Sequence, residues 1–171
     1  MLERNLFLIG LPGCGKTSLG KRAARECNVR FTDLDLYIEN AAGMKIPEIF
    51  EKYGEEKFRT METNALIRMT RQYPGLVSVG GGTPMTPVNR KIMQAWGSVI
   101  MIDRNVDEIL SDLRTENRPL LQGNTEEQMR AIAEERLPVY RAFADVVIPN
   151  KKGYADTLNL LMRVMKERYR A

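Results

Sequence analysis

Histidine is absent from the 171 residues. That removes every mechanism built on an imidazole base and every metal site with an imidazole ligand. Cysteine is nearly as scarce: Cys14 and Cys27 have neither the number nor the spacing of a disulfide framework or a thiolate metal site. Cys14 is read as a small loop residue. No apolar run approaches the ~20 residues of a membrane span. The opening Met1-Leu2-Glu3-Arg4-Asn5 lacks the apolar core of a signal peptide, so a cytoplasmic protein with no membrane partner is expected. There is no Lys/Arg block and no aromatic-basic patch. The net charge of +4 therefore suits small anionic ligands better than nucleic acid. Carboxylates, Lys, Arg, backbone amides and a hard cation are left to carry chemistry, and phosphoryl transfer can run on these because it depends mainly on positioning and electrostatics.

One stretch organises what is present. Gly10-Leu11-Pro12-Gly13-Cys14-Gly15-Lys16-Thr17 fits G-x-x-x-x-G-K-[ST]. It follows the apolar run Leu6-Phe7-Leu8-Ile9 and precedes the helical pattern from Ser18 to Arg25, the strand–loop–helix context of a P-loop. The glycines let successive N–H groups turn inward as an anion nest, and the helix adds its positive end. Gly13, Cys14, Gly15 and Ser18 fall in this nucleotide-binding stretch. Lys16 is placed to reach the β- and γ-phosphates, and Thr17 to offer its hydroxyl to Mg²⁺. The motif names ATP or a similar triphosphate; it does not name the acceptor.

Alternation continues along the chain. Strands are expected at Asn5 to Ile9, Val29 to Leu34, Leu76 to Val79, Ser98 to Ile102 and Asp145 to Ile148. Between the second and third, a helical region from Leu36 to about Gln72 is expected to break at Gly43, Pro47 and Gly54. Pro87 opens a helix to Trp96, Asn105 or Asp107 opens one ending near Thr115, and 116–124 reads as a polar loop. Thr125 with Gln128 resembles a capping box for a helix toward Phe143. The last helix places Tyr154, Leu158, Leu161, Met162, Met165 and Tyr169 on one face, expected to be core. Five short apolar strands alternating with helices imply one α/β domain, 1–171, with a parallel sheet. Ligands in such sheets lie beyond the strands' carboxyl ends, where the P-loop, Asp33-Leu34-Asp35 and Gly80-Gly81-Gly82 should meet.

Asp33 and Asp35, if still in extended backbone, point to the same side. One carboxylate could hold Mg²⁺ through its water shell while the other accepts a proton from an attacking hydroxyl. Alternatively, Asp35 could simply cap a helix starting at Leu36. The third strand ends Ser78-Val79-Gly80 without the acidic residue many P-loop proteins carry there, which makes Asp33 the substitute metal residue. Three glycines in a row allow close approach of backbone to a ligand. Arg59 and Glu62 lie i,i+3 on a helix, so Glu62 can hold the guanidinium; Arg136 is suited to gripping a carboxylate.

These pieces in this order, with Phe58-Arg59, Arg118-Pro119-Leu120-Leu121 and Arg136-Leu137-Pro138-Val139-Tyr140, resemble the shikimate kinase family over nearly the whole chain, to about Tyr140. The resemblance implies a P-loop three-layer sandwich of the nucleoside-monophosphate-kinase type. It also implies transfer of the γ-phosphoryl group of ATP to the 3-hydroxyl of shikimate, a step in chorismate and aromatic amino-acid biosynthesis, by a monomer. It gives Asp35 the reacting hydroxyl, Asp33 and Thr17 the Mg²⁺, and Arg59 and Arg136 the shikimate carboxylate. Gly80, Gly81 and Gly82 line the same pocket, with Pro12, Phe50 and Phe58 as walls. Arg118 becomes a catalytic lid arginine reaching the phosphates, and Arg114 a cation near adenine. The segment 149–153 becomes the adenine loop, 36–72 a substrate-binding subdomain and 112–124 the lid. A gluconate kinase of the same architecture and a non-catalytic shikimate sensor are the two rival readings, and a coupled ADP-release assay over polyols and acids separates them.

Overall fold

The computed structural model describes residues 4–72, 74–115, 125–151 and 153–169, without the side chains of residues 113–115, 125 and 169. Strand β1 (Asn5–Ile9) lies at the centre of a five-stranded sheet, with β3 (Leu76–Ser78) on one side and β4 (Gly97–Asp103) on the other. Strand β2 (Phe31–Asp33) adds outside β3, and β5 (Val146–Pro149) outside β4. The spatial order is β2-β3-β1-β4-β5 and every pairing is parallel. A parallel sheet is covered on both faces, which is why Leu6 to Ile9 read as an uninterrupted apolar run and are all fully buried. Each such buried aliphatic or aromatic side chain contributes about 1.5–3 kcal/mol relative to exposure.

Seven helices complete the described chain: α1 (Lys16–Glu26), α2 (Leu34–Ala42), α3 (Ile46–Thr70), α4 (Pro87–Trp96), α5 (Val106–Thr115), α6 (Thr125–Phe143) and α7 (Tyr154–Tyr169). Parallel pairing brings all the strands' carboxyl ends to one edge. The register Leu8↔Ser78 and Asp33↔Ser78 aligns the exits of β1, β3 and β2, so the P-loop, the triple glycine and the aspartate pair emerge side by side as expected.

Two boundaries near the site differ from expectation. Helix α2 begins at Leu34, two residues early, because Asp33 caps it: its Oδ1 accepts from the N–H groups of Asp35 (3.1 Å) and Leu36 (3.2 Å). The two aspartates are therefore placed by a helix start and not by an extended strand. Pro47 does not break a helix; it occupies the first turn of α3, where its missing N–H is harmless. The breaks at Gly43 and Gly54 do occur. Gly43 ends α2 in left-handed backbone (φ 67°), and Gly54 (φ 77°, ψ 170°) kinks α3. Glu48 accepts from the Lys45 N–H at 2.6 Å, securing the entry to α3.

Tight β1–β4 pairing creates a sharp steric limit. Gly97 stands opposite Asn5, and a Cβ on Gly97 would lie 2.2 Å from the Asn5 carbonyl oxygen and 2.8 Å from Phe7 Cε2. Gly97→Ala is therefore expected to destabilise the protein by about 1–3 kcal/mol, the usual penalty for forced overpacking. Urea unfolding measures this, and an unchanged midpoint would contradict it.

Candidate active site

The phosphate loop joins β1 to α1 through three glycines in left-handed backbone: Gly10 (φ 148°), Gly13 (φ 77°) and Gly15 (φ 100°). It borders a cleft of about 700 Å³ whose lining includes Gly13, Gly15, Lys16, Thr17 and Ser18. The Lys16 ammonium lies across the loop, donating to the carbonyls of Gly10 (2.9 Å) and Leu11 (3.0 Å). Cys14 is fully buried beneath it, in keeping with a packing role for the thiol.

Thr17 Oγ1 donates to Asp33 Oδ2 at 2.8 Å, so the two residues read as metal-binding stand together. Asp33 thus serves two elements, with one oxygen on the α2 amides and the other on α1. A hydroxyl and a carboxylate are hard oxygen donors. No group of three or more Asp, Glu or Cys among the described residues is arranged to hold a metal ion by itself. That donor set fits Mg²⁺, which keeps most of its waters and binds through one or two protein oxygens plus phosphates.

Asp35 sits one helical step further in. Burial raises its carboxyl from the usual 3.8 to about 6. The negative charges of Asp33 and Glu62 push the same way, Lys16 opposes them, and Glu39 adds a small upward push.

The triple glycine explains itself once side chains are placed. A Cβ on Gly80 would lie 2.7 Å from Asp35 Oδ1, one on Gly81 3.0 Å from an Arg136 terminal nitrogen, and one on Gly82 2.5 Å from an Arg59 terminal nitrogen. Each glycine thus makes room for one charged group of the site. Pro12 packs against Gly81 at 3.4 Å from that same constructed Cβ. Phe50 and Phe58 stack with centroids 4.6 Å apart, and the Arg59 guanidinium lies 5.3 Å from the Phe58 ring. Glu62 is buried and accepts from Arg59 at 3.2 Å, as the i,i+3 spacing suggested; exposed Glu55 takes the other side of the guanidinium at 3.1 Å. Arg136 Nε is buried with no hydrogen-bond partner among the described residues. An orphaned buried donor costs stability unless a ligand completes it. Tyr140, also buried, donates its hydroxyl to the Gly81 carbonyl.

Two residues were not anticipated. Arg104, just after β4, borders the phosphate cleft. It donates to Asp112 at 2.6 Å and to the Gly13 carbonyl at 3.5 Å, with Glu108 at 3.7 Å. A lone arginine after a strand looks like surface charge, so only the fold could find it. Tyr154 was expected in the core but is half-exposed, and its hydroxyl donates to the Ser18 carbonyl at 3.1 Å. As the first residue of α7 it overhangs the sheet's end; Leu161 and Met165 of the same face are fully buried. The neighbouring Asn150 reaches the Cys14 carbonyl at 3.1 Å and accepts from Thr157 at 2.9 Å, tying the 149–153 loop to the P-loop. Arg118 and 116–124 of the expected lid lie outside the described residues, as does the Arg114 side chain.

A model of the family described as "Shikimate kinase" matches residues 12–166. The chain belongs to the shikimate kinase family. Among its relatives, the shikimate kinase of Clostridium beijerinckii is 34% identical over 164 residues, covering 96% of each chain. That of Stenotrophomonas maltophilia R551-3 is 42% identical over 146 residues, covering 84% of this chain and 81% of the relative. Of solved structures, shikimate kinase from Acinetobacter baumannii in complex with shikimate superposes with a TM-score of 0.86 at 35% identity, over 96% of this chain and 93% of that one. The Aquifex aeolicus shikimate kinase gives 0.77 at 26% identity, over 95% and 96%. Membership of the shikimate kinase family makes the chain an ATP-dependent phosphotransferase with the P-loop fold of nucleoside-monophosphate kinases.

The raised Asp35 carboxyl has a consequence for stability. With a folded value of about 6 against 3.8 unfolded, ionisation opposes folding. Stability is full below about pH 4 and falls as pH rises through 6. In metal-free protein, Asp35→Asn is expected to be more stable than wild type by about 2 kcal/mol at pH 7, at ~1.4 kcal/mol per pH unit with a discount for partial exposure. The difference should vanish near pH 4. Urea titrations at both pH values measure it, and equal stability at pH 7 would contradict the assigned burial.

Proposed function

We propose that this chain transfers the γ-phosphoryl group of ATP to the 3-hydroxyl of shikimate, giving shikimate 3-phosphate and ADP. This is a step in chorismate and aromatic amino-acid biosynthesis. The observation that carries the reading is the convergence of Asp35, Arg136 and Arg59 on three successive glycines beside a P-loop. A ring bearing a carboxylate at one end and a hydroxyl at the other has matching partners along that row. Arg59 and Arg136 bind the carboxylate, and the orphaned Arg136 Nε gains an acceptor.

Asp35 takes the hydroxyl at the phosphate-loop end, where Lys16 is close enough to act on its charge. As the sugar-like oxygen attacks, its bond to the γ-phosphorus forms and the bond from that phosphorus to the β–γ bridging oxygen breaks. The hydroxyl proton passes to Asp35. A carboxyl near 6 is ionised at neutral pH yet more basic than an ordinary aspartate, which suits it to this step. Lys16 leaves its loop carbonyls for the β- and γ-oxygens and offsets their charge. Thr17 and Asp33 would hold Mg²⁺, which supplies further neutralisation of phosphate charge when bound. Arg104 borders the nucleotide side of the cleft, and Gly13, Gly15 and Ser18 cradle the phosphates. Arg118 and Arg114 keep the roles the family resemblance gives them, as do the 112–124 lid and the 36–72 substrate subdomain. The working unit is a cytoplasmic monomer acting on two small molecules.

Two substitutions test the orientation. Asp35→Asn is expected to lower kcat by roughly 10²–10⁴-fold, the range of general-base catalysis, with little change in shikimate binding. Arg59→Lys should chiefly raise the shikimate KM, because it keeps charge but loses the planar two-pronged grip. With a ring analogue lacking the carboxylate, Arg59→Lys should lose little further, whereas Asp35→Asn should keep its full defect. A coupled ADP-release assay measures all of these. If Arg59→Lys discriminated against the analogue as strongly as wild type, Arg59 would not be the carboxylate anchor.

A further inference from the structure

A closed ring of polar groups, buried at Glu62, Thr83 and Asn89 and half-buried at Thr63, lies behind Arg59. It begins at Glu62 on α3. This carboxylate is 1% exposed, so water cannot solvate it and its hydrogen-bond partners must. One oxygen, Oε2, accepts from Arg59 at 3.2 Å. The other, Oε1, accepts from the hydroxyl of Thr83 at 2.6 Å. Thr83 follows the triple glycine and opens a short 3-10 turn, Thr83–Met85; its side chain is fully buried. The Thr83 carbonyl accepts from the Asn89 side-chain amide at 3.2 Å, and Asn89, on α4, is also fully buried. The Asn89 amide oxygen accepts in turn from the Thr63 hydroxyl at 2.8 Å. Thr63 adjoins Glu62 on α3, so the chain of bonds leaves α3 at one residue and returns at the next.

The ring has a defined chemical effect. The Arg59 guanidinium has two carboxylate partners. Glu55 is mostly exposed and its pull is screened by water; Glu62 is buried and sets the orientation. A carboxylate with one free side can turn to offer both oxygens to an arginine. Here Thr83 holds Oε1, so Glu62 meets Arg59 through Oε2 alone, on Nη1, while exposed Glu55 accepts from Nε and Nη2. The same residue fixes the glycine row, because the Thr83 N–H donates to the Gly80 carbonyl at 3.1 Å.

We propose that Thr83 is a positioning residue for substrate recognition: through Glu62 it presents Arg59 to the substrate carboxylate, with Asn89 and Thr63 bracing it. The inference rests on the reading of Arg59 as carboxylate anchor. Thr83→Val keeps the shape and removes the hydroxyl; Thr83→Ser keeps the hydroxyl.

In steady-state assays on the full chain, Thr83→Val is expected to raise the shikimate KM about tenfold, the scale of one charged hydrogen bond. Its kcat and ATP KM should stay within about twofold of wild type, as for loss of uniform binding. Thr83→Ser should stay within twofold throughout. With the analogue lacking the carboxylate, Thr83→Val and wild type should perform alike. An unchanged shikimate KM in Thr83→Val would overturn the proposal, as would equal defects in the Val and Ser variants, or an equal loss on the analogue. Should Thr83→Val fail to fold, Thr63→Val at the far end of the ring is the variant to measure. It is expected to raise shikimate KM about threefold, and no change would overturn the proposal. Arg59→Lys run in parallel separates the two levels. If it leaves the shikimate KM unaltered, the anchor reading fails; if it raises KM while Thr83→Val does not, the relay alone fails.

Discussion

Three consecutive residues without side chains hold the site together. Asp35, Arg136 and Arg59 come from α2, α6 and α3, and all three reach the glycine row. Each needs the space a Cβ would fill, at 2.7, 3.0 and 2.5 Å respectively. The glycine row in turn is fixed at β3, one strand from the P-loop, by the parallel register. Steric room at one strand exit therefore sets the distance between an acid, two cations and a phosphate cradle.

Electrostatics follow from that crowding. Two carboxylates, Asp33 and Glu62, stand near Asp35 and raise its proton affinity beyond the effect of burial. Both oxygens of Asp33 are taken, one by the α2 amides and the other by Thr17. Two acids two residues apart thus stand in different surroundings: Asp33 is tied by hydrogen bonds to α1 and α2, and Asp35 carries a raised carboxyl. Glu62 is held between Arg59 and Thr83, which fixes the cation beside it.

Much of this is legible in the sequence. The five strands were short apolar runs bounded by turn residues, and the P-loop fixed the first strand–helix unit. Meeting of the three loops then followed from parallel topology. The helix start at Asp33 was missed because Asp33-Leu34-Asp35 alternates like a strand, and either acid can serve as a cap. Pro47 looks like a helix break in isolation, yet Pro in a first helical turn is favourable, and Lys45-Ile46-Pro47-Glu48 carries that signal. Tyr154 fitted the apolar face of α7, and periodicity cannot tell that the first residue of a helix overhangs the sheet. Arg104, and the Thr83–Asn89–Thr63 ring, depend on contacts between elements distant in sequence, which no local pattern encodes.

The most direct measurement is calorimetric titration of Gly82→Ala with shikimate and, separately, with ADP. The added Cβ would meet the end of a flexible side chain, so the fold should survive while the Arg59 guanidinium is displaced. A fall in shikimate affinity of at least about tenfold, or ~1.4 kcal/mol, is expected, with ADP affinity within twofold of wild type. Unchanged shikimate affinity would contradict the account, because the glycine row would then not be what positions the carboxylate anchor.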